Sequence, residues 1–125
     1  MKIAIIGSRS FSNYDLLKAE LSKHKPTLIV SGGASGADKL GEKYADEFNI
    51  KKLIFKANWK DMSPPCVVKQ NQYGEYNALA GMKRNTYIIE NSDLVIAFWD
   101  GKSTGTKDSI NKAKLLNKEI IIIKI

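Results

Sequence analysis

The sequence predicts a single α/β domain of the Rossmann-like kind, a central parallel sheet of about five strands with helices on both faces. Five short apolar runs carry that prediction: "KIAII" (2–6), "TLIVS" (27–31), "KKLIFK" (51–56), "DLVIAFW" (93–99) and "EIIIIK" (119–124). They are continuous rather than alternating, as expected of strands buried on both faces of a parallel sheet. Helical periodicity fills the intervals, and strands alternating with helices read as a doubly wound fold. A chain of 125 residues falls within one domain, and its 43% hydrophobic content supplies a core without a disulfide or metal staple.

Taken in order, residues 14–24 follow the first run with Leu17 and Leu21 one turn apart, and Ser12 or Asn13 stands ready as the cap. From Ala37, the positions Leu40, Gly41, Tyr44, Ala45 and Phe48 recur at three- and four-residue steps, which marks one apolar helix face. Residues 81–91 and 105–116 supply two further helices. Between the third strand and the third helix the segment 57–80 breaks the rhythm, with Trp59, Pro64-Pro65 and "QNQYGEYN". It exceeds the ~12–15 residues usual for a structureless loop. A functional flap, an oligomer contact and a decorated surface excursion with a short helix all fit it. Residues 1–125 are expected to form one domain carrying this insertion.

Composition narrows the chemistry. The single cysteine, Cys66, excludes an internal disulfide, and the single histidine, His24, leaves zinc without ligands. Cys66 has no neighbouring base, and His24 is expected to be exposed. No metal and no organic cofactor are expected. No stretch reaches membrane-spanning length and the run "IAIIG" is too short for a signal sequence, so a cytoplasmic protein is expected. The net charge of +7 invites polyanions, but the lysines are scattered as on a solvated surface. Only two of the 20 basic residues are arginines, Arg9 and Arg84, and both fall inside glycine- or helix-start motifs. Arginine's planar fork suits phosphate or carboxylate in a way that lysine does not reproduce.

In an open parallel sheet the ligand edge is the one where the strands' carboxyl ends meet the loops. Three donor-rich motifs leave strands there: "GSRSF" (7–11), "SGGASGAD" (31–38) and "FWDGKSTGT" (98–106), and "AGMKRN" (80–85) starts a helix at the same edge. The glycine loop followed by a helix has the form of a backbone cradle for phosphate. The expected ligand contacts are Gly7, Ser8 and Arg9 at one end. Ser31, Gly32, Gly33, Ala34, Ser35 and Gly36 form the cradle, with Asp38 beside it. Arg84 and Asn85 supply charge, and Asp100, Gly101, Ser103, Thr104, Gly105 and Thr106 close the far side. Two familiar nucleotide motifs fail on spacing. A P-loop ending in "GKS" would put its first glycine at Ile96 inside a strand, and "GSRSF" lacks the second and third glycines of the dinucleotide fingerprint.

The ordered set "GSRSF", "SGGASGADKLGEKYA", "AGMKRN" and "AFWDGKSTGTKDSI" resembles the YspA-like branch of the SLOG superfamily, which joins the DNA-processing protein A fold to the Lonely Guy phosphoribohydrolases. The resemblance spans nearly the whole chain. It implies a modified Rossmann domain that binds a nucleotide or nucleotide-derived ligand, and a homodimer. Lonely Guy enzymes use a helix-start arginine and the glutamate of P-G-G-x-G-T-x-x-E. Arg84 resembles that arginine and Gly105-Thr106 match the G-T, but Ser109 stands at the glutamate position and "DGKS" replaces P-G-G. Cleaving an N-glycosidic bond needs a carboxylate opposite the developing oxocarbenium ion. Asp38 and Asp108 are the candidates to supply it, alongside Arg84. Either aspartate is equally explained as an acid favoured in a first helical turn.

A ligand-binding or sensing domain is therefore the first expectation. A nucleotide N-glycosidase is second and a single-stranded DNA binder third. Trp59, Trp99, Tyr73 and Tyr76 are available to stack bases, although aromatics in this number also serve as core and loop anchors.

Overall fold

A computed structural model describes residues 1–125. Seven strands and four helices run in the order β1 (Lys2–Gly7), α1 (Tyr14–Ser22), β2 (Leu28–Ser31), α2 (Ala37–Glu47), β3 (Lys51–Ile54), β4 (Val68–Asn71), β5 (Gly74–Asn77), α3 (Ala80–Glu90), β6 (Leu94–Trp99), α4 (Thr104–Leu115) and β7 (Glu119–Lys124). Five strands form a parallel sheet in the order β3-β2-β1-β6-β7. The α/β architecture and every strand expected of the sheet are present. No helix is long and apolar enough to cross a membrane.

The continuous apolar runs exist because both faces of the sheet are covered. Ile3 and Ile5 of β1, with Ile29, Ile96 and Phe98, pack under Leu17 and Leu21 of α1 and Tyr44 and Ala45 of α2. The intervening Ala4 and Ile6, with Val30, Val95 and Ala97, pack against Ile88 and Ile89 of α3 and Ile110 and Ala113 of α4. Alternate residues thus serve two different layers, so no position is left to be polar.

The chain winds outward from β1 to β3 on one side and from β6 to β7 on the other. Its loops therefore diverge between β1 and β6. That switch point opens a crevice beyond the carboxyl ends of these two strands.

The insertion is neither a bare loop nor a helix. Its second half is an antiparallel hairpin in which Val68 faces Asn77 and Asn71 faces Gly74. The strands are short, largely exposed and polar, so they lack the apolar alternation that marks a strand in sequence. Asn77, fully buried, ties the excursion to the domain. Its side chain accepts hydrogen bonds from the amides of Val67 and Leu79 and donates to the carbonyls of Asp61 and Pro65. Lys83 of α3 adds bonds to Asp61 and to Ser63.

Two smaller expectations resolve as follows. Asn13 rather than Ser12 caps α1, its side chain accepting from the Leu16 amide at 3.1 Å. His24 is half-buried rather than exposed, because its ring lies 3.2 Å from Glu20 one turn earlier.

Gly7 ends β1 where the backbone of β6 and the start of α2 press against it. A Cβ there would stand 2.5 Å from the Phe98 carbonyl oxygen and 2.7 Å from the Ala37 Cβ. A Cβ at Gly105, on the first turn of α4, would meet nothing within 4 Å. Gly7→Ala is expected to lower unfolding free energy by about 1–3 kcal/mol through overpacking. Gly105→Ala is expected to raise it by about 0.5–1 kcal/mol through helix propensity. Urea unfolding of the two variants checks the pair, and equal effects would contradict the packing described.

Candidate functional site

The crevice at the switch point is an open cleft of about 540 Å³. Ser8, Arg9 and Ser10 from the β1 loop, and Asp100, Ser103 and Thr104 from the β6 loop, form one wall. Trp59 and Ala78 from the insertion, with Gly81 and Met82 of α3, form the other. A narrower recess of about 90 Å³ shares Arg9, Arg84, Asn85, Ser103 and Gly105 with it, and adds Gly7, Ala34, Asp38, Thr106 and Ser109. Four segments far apart in sequence thus meet at one place.

The glycine loop does not present the open cradle that its composition suggests. Asp38, 7% exposed, turns back from the first turn of α2, and its Oδ2 accepts the amides of Gly32 at 3.1 Å and Ala34 at 3.2 Å. A carboxylate of the chain itself takes the donors that a phosphate was expected to take. The glycines answer to packing. A Cβ on Gly32 would stand 2.5 Å from Arg84 Nη1, and one on Gly36, at φ +79°, would collide with the Ser8 carbonyl. Ser31 is buried with its hydroxyl donating to Glu42, away from the cleft. Gly33 packs toward Ile54 and Lys56, and Ser35 is exposed. Ser31, Gly32, Gly33, Ser35 and Gly36 are therefore absent from the walls, and of this loop only Ala34 lines the recess.

Arg84 faces the same peptide from α3. Its Nη1 donates to the carbonyls of Gly32 at 2.7 Å and Phe55 at 3.4 Å, and its Nε donates to Asn85 Oδ1. Its Nη2 makes no hydrogen bond within the chain. Burial lowers the Arg84 pKa, and the nearby charge of Arg9 lowers it further while Asp38 opposes both. Arg9 itself is exposed and makes no hydrogen bond. The chain's only two arginines thus sit close enough for like-charge repulsion to register, and both line the cleft and its recess.

Asp38 is perturbed in the other direction. Burial pushes its pKa up to about 6, against the lowering effects of the Ala34 amide, Arg84 and the Gly32 amide. Both amide bonds go to Oδ2. The second oxygen makes no hydrogen bond and is not sealed in the interior.

The start of α4 completes the wall. Asp100 closes the preceding turn, its Oδ1 accepting the amides of Lys102 and Ser103, and these bonds, Ser103 first, hold its carboxyl below the usual range. Ser103 is the N-cap residue but makes no capping bond; its hydroxyl meets Thr106 Oγ1 at 3.1 Å. The amides of Thr104, Gly105 and Thr106 are left without partners in the chain. Gly101, at φ +82°, turns the loop and touches neither cavity. Asp108 lies off the walls too, because Lys112 at 2.8 Å and Asn85 Nδ2 at 3.2 Å engage it. Ser109, at the position of the Lonely Guy glutamate, is buried and lines the recess. Ser10 of "GSRSF" and Gly81 and Met82 of "AGMKRN" lie inside the motifs but are not among the expected contacts, Ala78 lies outside every motif, and Trp59 reads in sequence as an aromatic available to stack a base.

Comparison with known proteins places this geometry. Residues 1–61 match the family described as YspA, cpYpsA-related SLOG family. The Gene 61 protein of Mycobacterium phage D29 is 27% identical over 124 residues, covering 90% of this chain and 88% of that protein. Among solved structures, DNA processing protein A from Helicobacter pylori, described for its single-stranded DNA binding mode, superposes with a TM-score of 0.68 at 24% identity over 98% of this chain. DNA processing protein A from Streptococcus pneumoniae superposes with a TM-score of 0.74 at 19% identity over 99% of this chain. This chain spans 64% and 50% of those two proteins, and at such identities the likeness is one of fold. The family's sequence pattern is thus matched in residues 1–61, and the fold of the DNA processing protein A structures is shared over nearly the whole chain.

Proposed function

We propose that the cleft binds a phosphate-bearing, nucleotide-derived small molecule, and that the protein is a ligand-binding or sensing domain. One observation carries this reading: Arg9 and Arg84 converge beside the three unpartnered amides at the start of α4. Two guanidiniums near one another repel, and a helix N-terminus carries partial positive charge, so an anion between them relieves both. Arg9 makes no hydrogen bond within the chain and is free to use its fork on that anion. The phosphate is assigned to Arg9 and α4 rather than to the glycine loop, whose Gly32 and Ala34 amides Asp38 already occupies.

A hydrolytic reading rests on a different observation, the raised pKa and open second oxygen of Asp38. A carboxylate that titrates near 6 is suited to activate water at neutral pH. Against hydrolysis stands Ser109, which has no carboxylate to offer where the related enzymes have theirs. Binding without turnover is the reading we prefer. Single-stranded DNA, bound by the Helicobacter pylori protein, is the third reading.

Three expected outcomes test these assignments. Nucleoside monophosphates, NAD and ADP-ribose are offered in turn, with melting temperature and release of free base both followed. At least one is expected to stabilise the protein, by about 2.7 kcal/mol at a hundredfold excess over its dissociation constant, with no sustained base release. Steep salt dependence for an oligonucleotide, with no mononucleotide binding, would transfer the site to DNA.

The second outcome concerns Arg9. Arg9→Lys is expected to weaken the bound nucleotide by about 1–3 kcal/mol without loss of stability, because the side chain makes no bond within the fold. Arg84→Lys is expected to lose both affinity and stability, since Nη1 holds two carbonyls. Calorimetric titration alongside urea unfolding separates the two.

The third concerns pH. With the Asp38 pKa raised from 3.8 to about 6, the native state holds a proton that the unfolded chain releases between those values. The stabilising contribution is full below pH 3.8, falls as pH rises to about 6, and is level above. Asp38→Asn removes this dependence. From pH 3.5 to 7 the stability of wild type relative to the variant is expected to fall by about 3 kcal/mol. A difference that stays flat across that window would contradict the burial assigned to Asp38.

A further inference from the structure

The two walls of the cleft differ in chemistry. The wall built from the β1 and β6 loops presents hydroxyls, a guanidinium and a carboxylate, whereas Trp59, Ala78, Gly81 and Met82 present carbon. Trp59 is 46% exposed and Met82 47% exposed although both border a cavity. An indole left half in water gains by covering that surface, and its π-face makes a flat ring the fitting cover.

Its position is held rather than loose. The Trp59 carbonyl accepts the Asn77 amide at 2.7 Å, and Asn77 is the buried hub of the insertion. The indole edge lies over Gly81, where a Cβ would stand 3.6 Å from it. Tyr76 meets the indole in a T-shaped contact, with centroids 6.2 Å apart and planes at 74°, which occupies at most one face. Lys60, next in sequence, is fixed by bonds from Nζ to the carbonyls of Tyr73 and Glu75. A stacking surface ordered before the ligand arrives loses little entropy on binding.

We infer that Trp59 is the ring-binding wall of this cleft, so that the site selects anions that carry a planar aromatic or heteroaromatic ring over sugar phosphates that lack one. The inference rests on the cleft reading proposed above and deepens it. It gives the ligand a direction, with the ring against the insertion and the anion against Arg9 and α4. It also gives the insertion a task, since residues 57–80 supply Trp59 and Ala78 to that wall, which without them would keep only Gly81 and Met82 of α3.

The probes are the four common ribonucleoside 5′-monophosphates and ribose 5-phosphate, titrated calorimetrically into wild type, Trp59→Leu and Trp59→Phe. Indole fluorescence is recorded alongside. For wild type, at least one nucleotide is expected to bind ten- to a hundredfold tighter than ribose 5-phosphate and to quench emission. Trp59→Leu is expected to lose that margin and the quenching while keeping its affinity for ribose 5-phosphate, and Trp59→Phe to restore most of the margin. If nucleotide and sugar phosphate bind wild type equally, or Trp59→Leu keeps the full margin, the ring wall is wrong and the anion cleft stands. If neither class of probe binds wild type at all, the cleft reading fails and this inference falls with it.

Discussion

Gly32 is gripped from both sides: its amide donates to Asp38 of α2, and its carbonyl accepts from Arg84 of α3. These helices cover opposite faces of the sheet, so one residue of the loop after β2 couples the two layers at the ligand edge. The coupling extends further, because Arg84 also reaches Phe55 beyond β3 and Asn85, which in turn bonds Gly105 and Asp108 of α4. Through this clamp the β2 loop and the β3 exit are tied directly to the starts of α3 and α4 as well as through the sheet. A glycine is required at its centre because any side chain would enter the space that Arg84 and Asp38 occupy.

The clamp is not cheap to hold. A buried carboxylate loses hydration, and here the two amides and the neighbouring guanidinium do not fully offset that loss, so the pKa stays high. The ionised form still predominates at neutral pH, because the Ala34 amide, Arg84 and the Gly32 amide keep the pKa from rising beyond about 6. Such an arrangement is common where a site requires charge that the fold alone would not select. The same trade appears in Arg84, whose burial and proximity to Arg9 both disfavour its charge.

The layers were legible in the sequence because a sheet covered on both faces forces continuous apolar runs, and "KIAII" and "DLVIAFW" have no other economical use. The convergence of loops was legible for a topological reason: in a doubly wound sheet the loops following the strands share one edge. The donors' destinations were not. "SGGASGAD" has the composition of a phosphate cradle, and nothing in its spacing reveals that Asp38 folds back onto Gly32 and Ala34. That bond depends on the backbone path through Gly33 and Gly36, both at positive φ. Asp108 was equally opaque, since its partner Lys112 lies one turn along the same helix and its other contact, Asn85, comes from α3. The hairpin in the insertion was hidden for a simpler reason: its strands bury almost nothing, so they carry no hydrophobic period.

The helix starts show how local satisfaction and site chemistry are divided. All four helices begin at the ligand edge, yet they are treated differently. At α1, set away from the recess, Asn13 caps the Leu16 amide in the ordinary way. At α2 the N-cap is Gly36, which has no side chain to give, and at α4 Ser103 has a hydroxyl but directs it to Thr106. At α3 the N-cap is Leu79, which makes no side-chain bond either. Replacing a good cap by none costs about 1 kcal/mol, so the fold forgoes that stabilisation three times at the edge where the cleft lies. At α2 the Asp38 carboxylate stands within the first turn and provides part of the missing negative charge. At α4 the Asp100 carboxylate is engaged by the Lys102 and Ser103 amides of the preceding turn, which leaves the amides of Thr104, Gly105 and Thr106 without partners at a cleft that Arg9 and Arg84 also line. Those free amides, beside two guanidiniums on the same cleft, are the feature of the molecule on which the anion proposal rests.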